Sequence, residues 1–282
     1  MVGNLVFRQF QIYNLGTRLR LSPYLFCTLF FSRSVLKRNN LPNPPESYIH
    51  FKNFNDSTYL IWGNSFQNPS MGNIILLSKK TNEVINSFWK GEGIEDRFVV
   101  SPFWTYNERI YFSTSITNNV YQITPEGYKL IYKWDFGKYD IDKFRKKEIA
   151  TTIDLKNSSD RIQQIVQKMM YSDKLYRFNS RFENDLYYYA QIVFKNDKNL
   201  APHIFYNKKT GMSNYFFKTI EGLSFITYSF TKDYIIGELL TDGKKEILSS
   251  NILNEEDETK LNLIKEDDNP VILKIYFKHE NN

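Results

Sequence analysis

The sequence predicts an all-β fold, a β-propeller of about four recognisable four-stranded blades, on three observations. From about Ser57 onward, short aromatic and β-branched runs alternate with Asn, Asp, Gly and Lys clusters, the composition of consecutive antiparallel strands and their turns. The runs come in groups of three. The groups recur at roughly the 40–50 residues of one propeller blade. A single meander cannot bury both faces of its sheet, so neighbouring copies must cover it. An irregular β-sandwich is the alternative architecture.

The chain opens with a segment, residues 1–45, that does not read as part of this repeat. Arg8, Arg18 and Arg20 precede the apolar run Tyr24-Leu25-Phe26-Cys27-Thr28-Leu29-Phe30-Phe31, which has the outline of a secretory signal. The run follows Ser22-Pro23, ends in Ser32-Arg33-Ser34 without an A-x-A-like site, and is shorter than the ~20 residues that cross a bilayer. A lipoprotein would carry small residues before its cysteine, whereas Leu25 and Phe26 precede Cys27. The segment therefore reads as a degenerate signal or a mis-started region, closed by the joint Leu41-Pro42-Asn43-Pro44-Pro45.

The propeller domain is expected over 46–282. Its first copy is Tyr59-Leu60-Ile61-Trp62, Asn73-Ile74-Ile75-Leu76-Leu77 and Val84-Ile85-Asn86-Ser87-Phe88. The second comprises Arg109 to Ser113, Asn119 to Ile123 and Leu130 to Trp134; the third, Leu186 to Tyr189, His203 to Tyr206 and Asn214 to Phe217. A weaker fourth opens at Asp233-Tyr234-Ile235-Ile236-Gly237, and a closing strand is expected over 270–278. The copies start at Tyr59, Ile110, Tyr187 and Tyr234, giving steps of 51, 77 and 47 residues. The long step holds a helical insertion over 143–170. Asn157-Ser158-Ser159-Asp160 supplies N-cap chemistry, and Ile162, Ile165, Val166, Met169 and Met170 fall on one helical face. A second helical or irregular stretch covers roughly Gly243 to Lys265.

Composition narrows the function classes. A chain with 41% hydrophobic and 24% charged residues is neither disordered nor a coiled coil. One cysteine excludes an internal disulfide framework, and three scattered histidines, His50, His203 and His279, disfavour a histidine metal site. The net charge of +6 is spread without a basic arm, which reads as a solvated surface; no nucleic-acid partner is expected.

The stretch Trp134-Asp135-Phe136-Gly137-Lys138-Tyr139-Asp140-Ile141, with the Ile-Tyr-Phe and Asn-x-Val-Tyr-x-Ile strands before it, resembles the six-bladed β-propeller proteins of Bacteroidetes, propellers of the TolB-like or NHL-like kind. Asp267-Asp268-Asn269-Pro270-Val271-Ile272-Leu273 is similar to the C-terminal strand of that family, and Gly222-Leu223-Ser224-Phe225 to the turn before its last blade. The resemblance covers about residues 50–278. It implies a propeller exported to the periplasm or cell envelope, often as a lipoprotein, with no common activity. With four blades counted and no lipobox, it also implies an N-terminally truncated, partial six-bladed chain. Uncovered blade edges in such a chain would favour self-association.

Candidate chemistry is sparse. Trp134-Asp135 occurs once without a Gly-His partner and reads as a strand-ending Trp and a turn Asp. There is no G-x-S-x-G elbow, P-loop or EF-hand spacing, and no cofactor or metal is implied. The best polar loop, Lys90-Gly91-Glu92-Gly93-Ile94-Glu95-Asp96-Arg97, offers Glu92, Glu95, Asp96 and Arg97, with Trp104 nearby, as a weak ligand-binding set at one mouth of the propeller. Trp62 and Trp89 are further stacking candidates. Asp140 and Asp142 would face one side if extended, and His203 reads as a core or rim histidine. The expectation is a non-enzymatic binding module for an unknown protein or glycan. The alternatives are a propeller hydrolase or lyase acting on glycans or peptides, and a truncated fragment without function.

Overall fold

The computed structural model describes residues 7–13, 48–63, 72–90, 102–137, 140, 142, 147, 163–165, 167–168, 171, 176–194, 201–219, 222–240, 255–263 and 271–277. Strand β1 (Phe7–Tyr13) comes first and is used last. Blade one is β2 (Tyr48–Asn53), β3 (Thr58–Gly63), β4 (Ile74–Ser78) and β5 (Val84–Phe88). Blade two is β6 (Phe103–Tyr106), β7 (Arg109–Phe112), β8 (Asn119–Thr124) and β9 (Gly127–Lys133). Blade three is β10 (Tyr176–Glu183), β11 (Tyr187–Phe194), β12 (His203–Asn207) and β13 (Ser213–Phe216). Blade four is β14 (Phe225–Phe230), β15 (Tyr234–Leu239) and β16 (Ile272–Phe277), with β1 as its fourth strand in the order β14-β15-β16-β1. Helix α1 (Glu255–Leu263) lies against β1. The fold is all-β, built as four antiparallel four-stranded blades of propeller type.

The three-strand groups read from the sequence are the second, third and fourth strands of blades one to three. The first strands of blades one, three and four, which the sequence reading lacks, carry bulges. Register shifts sit at Tyr48/His50, Phe178/Ser180 and Thr227/Ser229, and a bulge breaks the period of two on which strand recognition rests. Within the N-terminal segment 1–45, residues 7–13 pair with β16, an element the sequence reading does not contain. Of the insertion 143–170, only residues 147, 163–165 and 167–168 are described. They are helical, with Ile165 buried and Gln163, Gln164, Gln167 and Lys168 exposed, as one apolar face requires.

Blades one, three and four share one pattern of turn bonds. In the hairpin joining first and second strands, a side-chain oxygen caps the backbone: Asn55 Oδ1 accepts from Ser57 N, Asn184 Oδ1 from Leu186 N and Tyr187 N, and Thr231 Oγ1 from Asp233 N and Tyr234 N. The turns Ser78-Lys79-Lys80-Thr81-Asn82-Glu83 and Asn207-Lys208-Lys209-Thr210-Gly211-Met212 are closed alike, by Ser78 N to Glu83 O and Asn207 N to Met212 O, both 2.9 Å. Their fifth residues, Asn82 and Gly211, have φ of 59° and 71°, a region that Asn and Gly tolerate best. In blades one and three the two turns meet, Lys79 N donating to Ser57 O and Lys208 N to Leu186 O at 2.8 Å; in blade four Phe277 N, at the end of β16, donates to Asp233 O at 2.9 Å. These bonds put Leu60 and Tyr189, and Trp62 and Gln191, at equivalent positions.

Contacts divide the chain into two compact units. Leu21–Leu175 holds blades one and two; Met1–Arg20 with Tyr176–Asn282 holds blades three and four. In the first, Leu60, Trp62, Ile74 and Leu76 pack on Phe103, Ile110, Phe112 and Ile123 of the next blade. In the second, Tyr189 and Phe205 pack on Phe225, Phe230, Ile235, Leu273 and Ile275. Strands β10 and β14 run side by side at this seam.

Candidate functional site

Glu92, Glu95, Asp96 and Arg97 lie outside the described residues. Trp104 is described: it sits on β6, is 5% exposed, and its ring stacks on Tyr111 at 5.9 Å and 17°. Trp62 is 1% exposed and meets Phe103 edge-on, and Trp89 is half-buried among Phe112, Tyr121 and Tyr128. These three indoles pack the blades rather than face solvent. Trp89 holds its place at a φ of 63°, and its carbonyl accepts from Asn73 N at 2.9 Å.

A buried polar cluster lies in the seam between blades three and four. In blade one the cross-strand pair Trp62–Ile74 is apolar; its equivalent in blade three is Gln191–His203. Gln191 Oε1 accepts from Thr227 N (3.0 Å) and Asn179 Nδ2 (3.1 Å), while its Nε2 donates to Phe225 O at 2.7 Å. One amide thus bonds to an acceptor and a donor on β14 in the manner of a neighbouring backbone, which fixes its orientation. Its Nε2 also approaches His203 Nε2 at 3.3 Å, so the neutral ring accepts there and carries its proton on Nδ1, facing Tyr189 Oη at 2.8 Å. Tyr189 Oη in turn pairs with Thr227 Oγ1 at 2.5 Å. His203 is 1% exposed, clamped between the rings of Phe216 (4.8 Å) and Phe225 (4.2 Å). Burial pushes its pKa down to about 3, against a smaller opposing effect of the Phe225 carbonyl. Closed to solvent, the network has no room for a substrate. It joins two blades.

A second cluster closes blade two. Asp140, which is buried, accepts from Asn118 Nδ2 (3.2 Å) and Asp142 N (2.9 Å) through Oδ1 and from Lys133 Nζ (3.0 Å) through Oδ2. Asp142 accepts from Asn118 N at 3.3 Å. The bond to Asp140, reinforced by its charge, holds the Lys133 ammonium above its ordinary pKa. These carboxylates face one loop as the sequence spacing implies, but they serve as caps for Asn118. Asp135 is the turn residue expected, with Oδ1 accepting from Gly137 N at 2.8 Å.

Among the described residues, one group of exposed aromatic side chains lies on the outer face of the β12–β13 hairpin. Strand alternation turns His203, Phe205 and Phe216 into the seam and leaves Tyr206 and Tyr215 outward. Tyr215 is 65% exposed, Met212 56% and Phe217 43%, and the Tyr215 and Phe217 rings meet edge-on at 6.2 Å. Tyr206 packs at 6.0 Å on Tyr188, which carries Lys208 Nζ 4.3 Å above its ring. Lys208 is held there by Glu183 Oε2 at 3.0 Å. No signal in the sequence separates these tyrosines from core tyrosines without the register. Only pairing shows that Tyr189 faces in and Tyr188 out.

Taken together, the blades define a protein of the propeller class. No family model and no curated protein matches the sequence. Among solved structures it is similar to a "Putative exported protein" from Bacteroides fragilis, with a TM-score of 0.55 and 12% identity over 83% of this chain. The match spans 66% of that protein's length. At such identity the likeness is one of fold. Among the described residues, no helix is long and apolar enough to cross a membrane, and no three His, Cys, Asp or Glu side chains cluster as metal ligands.

Proposed function

We propose that the chain is a non-enzymatic binding module that takes a glycan or protein ligand on the outer face of the β12–β13 hairpin. The observation that carries this reading is the exposure of Tyr206, Met212, Tyr215 and Phe217 on one short hairpin, at ring spacings that suit stacking. The carboxylate pair Asp140–Asp142 supports the same reading, because Asp140 is engaged by Asn118 and Lys133 rather than poised for acid or base work. The fold likeness to a Bacteroides protein described as exported supports an envelope address and kinship with the six-bladed propellers of Bacteroidetes. A glycan and peptide array probed with the wild-type chain and with Tyr215→Ala tests the proposal. Retained ligands should lose signal in the variant; equal signal from both proteins would refute the assignment of the face.

A further inference from the structure

Strand β1 stands apart from every other strand in how it reaches its blade. It pairs with β16 alone, through Phe7↔Phe277, Phe10↔Ile275, Gln11↔Lys274, Ile12↔Leu273 and Tyr13↔Ile272. Its partner lies at the far end of the chain, and the next strand in sequence, β2, belongs to another blade. Blade four does not depend on β1 to hold β16. Five residue pairs from Tyr234↔Tyr276 to Glu238↔Ile272 join β16 to β15, Phe277 N is bonded to Asp233 O, and Leu273 and Ile275 are fully buried in the seam core. If β1 leaves, a three-stranded sheet remains with the free N–H and C=O row of β16 at its edge. Such an edge is a template for an incoming strand.

We infer that the β16 edge is a strand-acceptor site, filled by Phe7–Tyr13 of the same chain and, at high protein concentration, by Phe7–Tyr13 of a second copy. The occupant follows from the structure. β1 already carries the register that fits this edge, and the same pairs form whether the strand arrives from one chain or another. Residues 14–47 separate β1 from β2, a contour of at most about 120 Å when fully extended. Exchange between identical copies is reciprocal: each β1 fills the other's edge, and a closed two-fold dimer results without any new surface. Linker length sets how strongly the intrachain arrangement is favoured, so dimer formation rises with concentration.

The test places cysteines at one register pair, Gln11→Cys with Lys274→Cys, in a Cys27→Ser background. The chain is unfolded and refolded at micromolar concentration and at the highest soluble concentration, then oxidised. Intrachain disulfide in a monomer is expected in the dilute sample, and a covalent dimer with two interchain disulfides in the concentrated one. Only intrachain disulfide at every concentration, or a dimer without interchain disulfides at these positions, overturns the inference. Should the double variant fail to fold, wild-type chains in light and heavy isotopes are refolded together and analysed by native mass spectrometry. Mixed dimers that re-equilibrate only after unfolding support exchange, and monomer alone at both concentrations overturns it.

Discussion

Replacing Gln191 by leucine removes a side chain that bonds to both a backbone donor and a backbone acceptor across the seam of blades three and four. Leucine has similar bulk, so the lost quantity is hydrogen bonding rather than volume. Thr227 N and Asn179 Nδ2 lose their common acceptor, and Phe225 O loses a donor at 2.7 Å. A buried polar group left unsatisfied costs about 1–3 kcal/mol, so two orphaned donors predict a loss of about 3 kcal/mol after partial relaxation. With a urea slope of about 2 kcal/mol/M, the midpoint should fall by roughly 1.5 M at unchanged slope. Asn179→Ala alone should cost about 1 kcal/mol, and the double variant less than the sum, because the second orphan no longer exists. A Gln191→Leu midpoint equal to wild type would refute the claim that this amide joins the blades.

Three further outcomes follow from particular residues. His203 and His50 have pKa values lowered by burial to about 3 and about 4, so between pH 6.5 and those values the unfolded chain takes up protons that the folded chain refuses. Stability is then full above pH 6.5 and falls on acidification, by about 1.4 kcal/mol per pH unit for each histidine, and His203→Gln should flatten the urea midpoint against pH. Gly72→Ala would set a Cβ 2.1 Å from Phe88 O and Gly237→Ala one 2.8 Å from Ile226 O, so thermal melts should show both destabilised, Gly72→Ala by more. Asn107 and Glu108, with φ of 46° and 60°, form the two-residue turn between β6 and β7, and Glu108→Gly should raise stability by up to about 1 kcal/mol in the same assay.

The legible strands were those built of aromatic and β-branched runs between turn residues. β3, β4, β7, β8, β11 and β12 announce themselves because their alternate residues, such as Tyr189 and Phe205, pack on a neighbouring blade. β10 does not, since Arg177, Asn179, Arg181 and Glu183 give it a polar reading; Asn179 is satisfied by Gln191 and Glu183 by Lys208. β1 was invisible for a different reason: its pairing partner lies at the opposite end of the chain, and nothing local records that. The proposed face was equally hidden. Tyr188 and Tyr189 are adjacent and chemically identical, and their opposite fates depend on register alone. The turns Lys79-Lys80-Thr81-Asn82 and Lys208-Lys209-Thr210-Gly211 share Lys-Lys-Thr, a likeness the sequence reading does not use and that pairing explains, since they close equivalent hairpins of blades one and three.

The most direct test of the binding account is a calorimetric titration of an array-selected ligand into four proteins: wild type, Tyr215→Ala, Phe217→Ala and Leu130→Ala. Leu130 is 52% exposed on the fourth strand of blade two and serves as a comparably exposed apolar residue of another blade. The account predicts that Tyr215→Ala and Phe217→Ala each weaken Kd by about tenfold, equivalent to ~1.4 kcal/mol, with Leu130→Ala unchanged. Unaltered affinity in both blade-three variants, or a loss confined to Leu130→Ala, would contradict it.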